Sequence, residues 1–195
     1  VLVTGAAGSI GSELVRQLAR LGVERLVLVD MAESGLYDVE TELRPISTTQ
    51  LGVRVADVRD RRAMSGVFTD HRPEVVFHAA AYKHVPLMEA QPDEAVRTNI
   101  LGTRVVAELA ALHGADDFVL VSTDKAVNPT SVMGASKRVA ETLVTSLAAT
   151  MTRVPRFITT RFGNVLGSSG SVIPLFRRQI AAGGPNAQAQ LQQNL

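Results

Sequence analysis

The run Val1-Leu2-Val3-Thr4-Gly5-Ala6-Ala7-Gly8-Ser9-Ile10-Gly11 constrains the fold more than any other. Strand-forming residues lead into three glycines at 5, 8 and 11, and a stretch with Ile10, Leu14, Leu18 and Leu21 at helical spacing follows. Gly5 permits a tight turn, Gly8 lets backbone approach a bound anion, and Gly11 lets the helix pack closely on the strand. The helix N-terminus behind the turn offers N–H groups and a partial positive charge. Together with Ala7, Ser9 and Ile10, the turn reads as a cradle for the pyrophosphate of a nicotinamide dinucleotide.

Beyond the turn, apolar runs alternate with amphipathic stretches. Strands are predicted at 1–4, 25–30, 53–56, 74–78, 117–121 and 156–160. Helices are predicted at 9–21, 33–43, 61–68, 92–113, 134–151 and 172–182, the fourth with its apolar face at Ala95, Ile100, Val105, Val106 and Leu109. Alternation of this kind gives an α/β fold, a doubly wound parallel sheet of the NAD(P)-binding Rossmann type, with ligands outside the carboxyl ends of the strands. One domain is expected over 1–184. The stretch 185–195, rich in Gln and Asn without apolar periodicity, is expected to be a disordered tail.

The 195 residues are 46% hydrophobic, enough for one sizeable core. A net charge of +1 gives no field that would draw nucleic acid or an anionic membrane. Without cysteine there are no disulfides and no thiolate metal sites. The histidines and carboxylates have no metal-ligand spacing. No apolar run reaches the roughly 18 residues needed to span a bilayer, and no signal peptide opens the chain. A cytoplasmic protein is expected, and an opening that is already a strand is expected of a fragment.

Asp30 ends the second strand about 20 residues after the last glycine. A carboxylate there accepts from the adenosine ribose and repels a 2′-phosphate, favouring NAD with NADP still open; the competing role is a helix N-cap. Asp57-Val58 follows the third strand, where the carboxylate either meets the adenine amino group or caps the next helix. Ala79-Ala80-Ala81 are small enough for a cofactor to lie against their backbone. The fifth strand ends in Val121-Ser122-Thr123-Asp124-Lys125, a hydroxyl, an acid and an amine suited to proton transfer. The chain holds only three lysines, Lys83, Lys125 and Lys137, all within such segments. Met133 and Lys137, four apart at a helix start, share a face. His78 is expected to bond a backbone group, His71 and His113 to lie at the surface, and Arg177 and Arg178 to lie on a solvated helix face.

The glycine turn, the run His78-Ala79-Ala80-Ala81-Tyr82-Lys83-His84-Val85-Pro86, residues 121–129 and Arg161-Phe162-Gly163-Asn164-Val165-Leu166-Gly167 resemble extended short-chain dehydrogenase/reductases. More narrowly they resemble the UDP-N-acetylglucosamine 4,6-dehydratases of bacterial polysaccharide biosynthesis. The resemblance implies oxidation at the sugar C4, loss of water across C5–C6 and hydride return to C6, with NAD(P) unchanged at the end. It implies Asp124 as acid at the C6 hydroxyl, Lys125 as base at C5, and Thr123 as a partner of the C4 oxygen. Lys137 would sit at the nicotinamide ribose, Lys83 would bridge cofactor and substrate, and Asn99 would join the cofactor site. His84, Asn164 and Ser168 would lie on the UDP-sugar side. Lys125 needs a lowered pKa to act as a base, whereas Asp124 pushes the other way, and the two titrate as a pair.

Most short-chain dehydrogenases carry Tyr where Met133 stands; Met there resembles the large, membrane-anchored members. Their membrane helices and most of the C-terminal substrate lobe are missing from this chain. The resemblance thus implies a fragment of an anchored protein and a homo-oligomer. Two other readings stand beside the dehydratase: an epimerase or reductase on the same fold, and a truncated, non-catalytic dinucleotide-binding module.

Overall fold

The computed structural model describes residues 1–151, 155–163 and 165. Six strands form one sheet: β1 (Leu2–Thr4), β2 (Arg25–Asp30), β3 (Gln50–Val55), β4 (Val75–His78), β5 (Asp117–Thr123) and β6 (Arg156–Phe162). All pairings are parallel, in the order β3-β2-β1-β4-β5-β6. The order reverses between β1 and β4, which opens a crevice at their carboxyl ends.

Alternating side chains divide the core into two layers. Leu2, Val27, Val29, Val76, Phe118 and Leu120 pack on one face with Met64, Phe68, Val106 and Leu109. Those helical residues lie on α3 (Arg61–His71) and α6 (Thr103–Leu112). Val3, Leu26 and Leu28 pack on the other face with Val15 of α1 (Ser9–Arg20) and Leu36, Val39 and Leu43 of α2 (Glu33–Leu43). Burial on both faces is why these strands are apolar at consecutive positions. Two short helices, α4 (Val85–Ala90) and α5 (Pro92–Ala95), follow β4, and α7 (Val132–Thr150) follows β5.

The structure departs from the sequence expectations in identifiable places. β3 begins at Gln50, not 53, because Gln50, Leu51 and Gly52 pair in register with Arg25, Leu26 and Val27; cross-strand pairing overrides the poor strand propensity of glycine. The helix expected over 92–113 is three pieces: α5, a π-helical segment Val96–Gly102, and α6. The fully buried residues of α1 are Gly11, Ser12, Val15 and Ala19; of the expected apolar set Leu18 packs partly buried on the core, whereas Leu21 is 79% exposed. The small residues turn inward because Gly11 must pass close to the turn before it. His71 is half-buried with Nε2 lacking a partner, and His113 stacks on Phe68 at 5.7 Å, so neither is a simple surface residue. The helix expected at 172–182, Arg177, Arg178 and the tail lie outside the described residues. No helix among the described residues is long and apolar enough to cross a membrane.

Candidate active site

The glycine turn meets its geometric requirements. Gly5 has φ +70°, a left-handed conformation that favours glycine. A Cβ on Gly5 would stand 2.6 Å from Ala80 N, and one on Gly11 would stand 1.9 Å from Gly5 O. Gly8 is exposed, and a Cβ there would stand 3.2 Å from Gly5 O. The first helical bond of α1 runs from Ser12 N to Gly8 O, and no side chain caps the helix. The N–H groups of Ile10 and Gly11 therefore point out of the helix end.

Asp30 receives Ala7 N on Oδ2 and Ala32 N on Oδ1, both at 3.0 Å. The residue at the N-cap position of α2 is Ala32, so Asp30 does not cap that helix. Each of its oxygens keeps accepting capacity for a ribose diol. Asp57 is no cap either: α3 is capped by Asp60, which accepts Arg62 N and Ala63 N. Asp57 accepts Arg59 N at 2.9 Å and Arg59 Nε at 2.8 Å. The bond from the Arg59 guanidinium, against the cost of burial, holds the Asp57 carboxyl below its ordinary value. Arg59 Nη1 also donates to Glu94 at 2.7 Å, tying the loop after β3 to α5. The Val58 side chain is buried in the core, so only its backbone can face a ligand.

Ala79, Ala80 and Ala81 are half-buried, with Ala79 N donating to Thr4 O. Asn99 stands in the π-helical segment with no exposure. Its Oδ1 accepts Tyr82 N at 2.8 Å, and its Nδ2 donates to Tyr82 O at 3.0 Å and to Ser136 Oγ at 2.9 Å. Asn99 thus shapes the loop that carries Lys83, with both of its amide hydrogens engaged and one acceptor site left on Oδ1. Lys83 and His84 follow in that loop and are exposed, and His84 occupies the N-cap position of α4.

At the end of β5, Thr123 Oγ1 donates to Asp124 Oδ1 at 2.9 Å and accepts Lys125 N at 3.3 Å. Lys125 Nζ stands 3.4 Å from Asp124 Oδ1. The Thr123 hydroxyl, outweighing burial, and the Lys125 charge hold the Asp124 carboxyl below its ordinary value, so Asp124 rests as the carboxylate. A Cβ on Gly163 would come 3.5 Å from Asp124 Oδ2, so the end of β6 borders the same carboxylate.

Lys137 is 4% exposed, and its Nζ donates to Val121 O on β5, three residues before Asp124, at 2.8 Å. Burial pushes the amine down to about 8, against a smaller upward pull from Glu141. Met133, one turn earlier, is buried against Met88 and Ala95, with Tyr82 and Val85 beside them. Its thioether thus packs the wall of the site and has no proton to exchange. Asn164 and Ser168 lie outside the described residues.

Several contacts escape the sequence reading because they join distant residues. Glu141 accepts Ser122 Oγ at 2.6 Å and both Nε and Nη2 of Arg161, locking α7 to β5 and β6. Burial would raise the Glu141 carboxyl, yet Arg161, Ser122 and Arg138 hold it below its ordinary value. Glu89 Oε1 accepts Val132 N at 2.7 Å, pinning α4 to the start of α7. His78 bonds Thr4 and Thr103 hydroxyls, not the backbone group expected of it. Gly134 had no assigned role, yet a Cβ there would meet Lys125 O at 2.5 Å.

This arrangement has relatives. The chain is 49% identical over 187 residues to the probable polysaccharide biosynthesis protein EpsC of Bacillus subtilis, covering 95% of this chain and 31% of that protein. It is 33% identical over 185 residues to the UDP-N-acetylglucosamine 4,6-dehydratase (inverting) of Campylobacter jejuni, covering 94% of this chain and 54% of that one. It is 34% identical over 189 residues to the UDP-glucose 4-epimerase of Rickettsia canadensis, with coverages of 94% and 54%. Among solved structures, the dTDP-glucose 4,6-dehydratase DesIV of Streptomyces venezuelae, with NAD and TYD bound, superposes with a TM-score of 0.81 at 26% identity. That match covers 94% of this chain and 62% of that one. The chain therefore spans about a third to a half of the length of these curated relatives. A family model described as polysaccharide biosynthesis protein matches residues 1–188. With so little of its length outside that match, the chain belongs to the polysaccharide biosynthesis protein family.

Proposed function

We propose that the chain is the dinucleotide-binding, catalytic part of a nucleotide-sugar-modifying enzyme of polysaccharide biosynthesis. Within that class we read it as a UDP-N-acetylglucosamine 4,6-dehydratase using NAD. The observation that carries this is the Asp124–Lys125 pair at the carboxyl end of β5, bordered by Gly163, with the buried Lys137 bonded to Val121 O of the same strand. Elimination of a hydroxyl needs a base at one carbon and an acid at the leaving oxygen. Epimerisation at C4 needs no such acid. The epimerase reading has its own support in the 34% identity to the Rickettsia canadensis enzyme.

The crevice fits a dinucleotide. Gly8 leaves the turn open, Ile10 and Gly11 present N–H groups to a pyrophosphate, and Asp30 retains acceptors for a ribose diol. NAD held there by the glycine turn and Asp30 would supply hydride-transfer chemistry to the sugar. Asp30 disfavours a 2′-phosphate by charge. Lys137, fixed by Val121 O, donates to the nicotinamide ribose and influences nearby proton transfers. Lys83 and His84, exposed in the loop before α4, are assigned to the diphosphate and sugar side.

Asp124 and Lys125 reach their catalytic forms by one proton transfer. At rest they are an ion pair. When a sugar displaces water, both charges lose solvation and the neutral pair gains relative to the ionic one. A proton passing from Lys125 Nζ to Asp124 yields a free amine for C5 and a carboxylic acid for the C6 hydroxyl. Thr123, which donates to Asp124 at rest, is then released toward the C4 oxygen.

The test is incubation with UDP-N-acetylglucosamine and NAD, followed by product mass. Loss of one water is expected. An isomer of unchanged mass would indicate the epimerase, and NAD binding without turnover would indicate a non-catalytic module. Lys125→Met is expected to abolish water loss while leaving NAD affinity unchanged; persistent dehydration would place the base elsewhere.

A further inference from the structure

The roles above leave unused a fully buried imidazole, His78. Its Nδ1 lies 2.7 Å from Thr4 Oγ1 and its Nε2 lies 3.0 Å from Thr103 Oγ1. The partners fix its protonation. Thr103 has one hydroxyl proton and donates it to Asn99 O at 2.7 Å. Toward His78 it can only accept, so Nε2 carries a proton. A neutral ring then leaves Nδ1 bare, as acceptor of the Thr4 hydroxyl.

The chain of bonds does not stop there. Asn99 holds both sides of the Tyr82 peptide and donates to Ser136 Oγ, and Ser136 Oγ donates to Met133 O at 2.7 Å. The path thus starts at Thr4, beside the glycine turn, crosses β4 and the π-helical segment, and ends in the first turn of α7 beside Lys137. Thr4, His78, Asn99, Thr103 and Ser136 are all buried. If filling space were the only need, an apolar side chain would do so without desolvating five polar groups. A buried network in which every member is satisfied instead fixes one arrangement of the elements it joins.

We propose that His78, as the neutral Nε2–H tautomer, is a positioning residue that sets the glycine turn against the first turn of α7, and so sets Lys137 against a bound dinucleotide. The last clause rests on the dinucleotide reading of the crevice. Burial, and then the nearby Lys137 charge, favour the neutral ring and push its pKa to about 3.

Two measurements test this. In the ¹⁵N spectrum of the histidine rings of the unmodified protein, His78 is expected to show a bare Nδ1 and a protonated Nε2, with no titration above about 3. The opposite tautomer, or titration near 6.5, would overturn the proposal. Second, ε-¹³C-lysine labelling reports on only three side chains, so the Lys137 midpoint near 8 is directly readable. In Thr103→Val, which strands Nε2–H, that midpoint is expected to rise toward 10.5 as α7 loosens. NAD affinity is expected to fall about tenfold. Thr103→Ser should restore both. A folded Thr103→Val protein with an unmoved Lys137 midpoint and unchanged NAD affinity would reduce the network to scaffolding and defeat the proposal. Should the unmodified chain fail to bind NAD, the dinucleotide reading fails, while the tautomer and the Lys137 midpoint still decide the role of His78.

Discussion

Asp30 ties two backbone segments together through one carboxylate, at Ala7 N and Ala32 N. Its place at the end of β2 was legible because the strand and the distance from the glycine turn are both written locally. Its bond to Ala7 N was not, since that contact joins residues 23 apart, whereas the bond to Ala32 N is local. Removing the carboxylate removes the repulsion of a 2′-phosphate and also one anchor of the turn. Asp30→Ala is expected to weaken NAD binding and to narrow the preference for NAD over NADP by about tenfold, as measured by parallel titration. An unchanged ratio would take Asp30 out of the ribose site. Gly5 and Gly11 were legible for a stricter reason. Each meets backbone atoms closer than any side chain tolerates, and only one residue type satisfies that.

At the scale of elements, α7 is the organiser of the reacting end. Its N-cap Ser131 accepts Gly134 N, Glu89 accepts Val132 N, and Glu141 grips Ser122 and Arg161. Gly134 lets the first turn pass against Lys125 O. Alanine in a helix is ordinarily better than glycine by about 1 kcal/mol. Gly134→Ala is nevertheless expected to lower Tm and to cut turnover, because a Cβ 2.5 Å from a backbone carbonyl must push the Asp124–Lys125 turn aside. A gain in Tm with normal turnover would show that the turn yields freely. The π-helical segment escaped sequence reading because its cause is tertiary. Asn99 and Thr103 face inward to Tyr82, Ser136 and His78, and the backbone winding accommodates both.

At the scale of the molecule, stability follows from groups kept in one charge state. His78 takes up a proton near 6.5 when unfolded but only near 3 when folded. The unfolded chain therefore binds more protons in that window. This contribution to stability is fully present above about 6.5 and is lost as pH falls toward 3. The loss is on the order of 5 kcal/mol. Urea melts across that range are expected to show a falling midpoint. In His78→Gln the same limb should be shallower by about one proton per molecule. Equal slopes would mean that the ring titrates freely in the folded protein.

The sequence by itself determined the alternation of strands and helices, the glycine turn, and the acid–amine pair after β5, because each depends on residue types at short spacing. Only the tertiary structure decided which side chains those elements press together. It engaged Asn99 in a loop, buried Met133 in a wall, chose the protonated nitrogen of His78, and set Gly134 against Lys125. Most of those outcomes are contacts between residues far apart in the chain. Such contacts exist only after the sheet order has fixed which strand ends stand side by side.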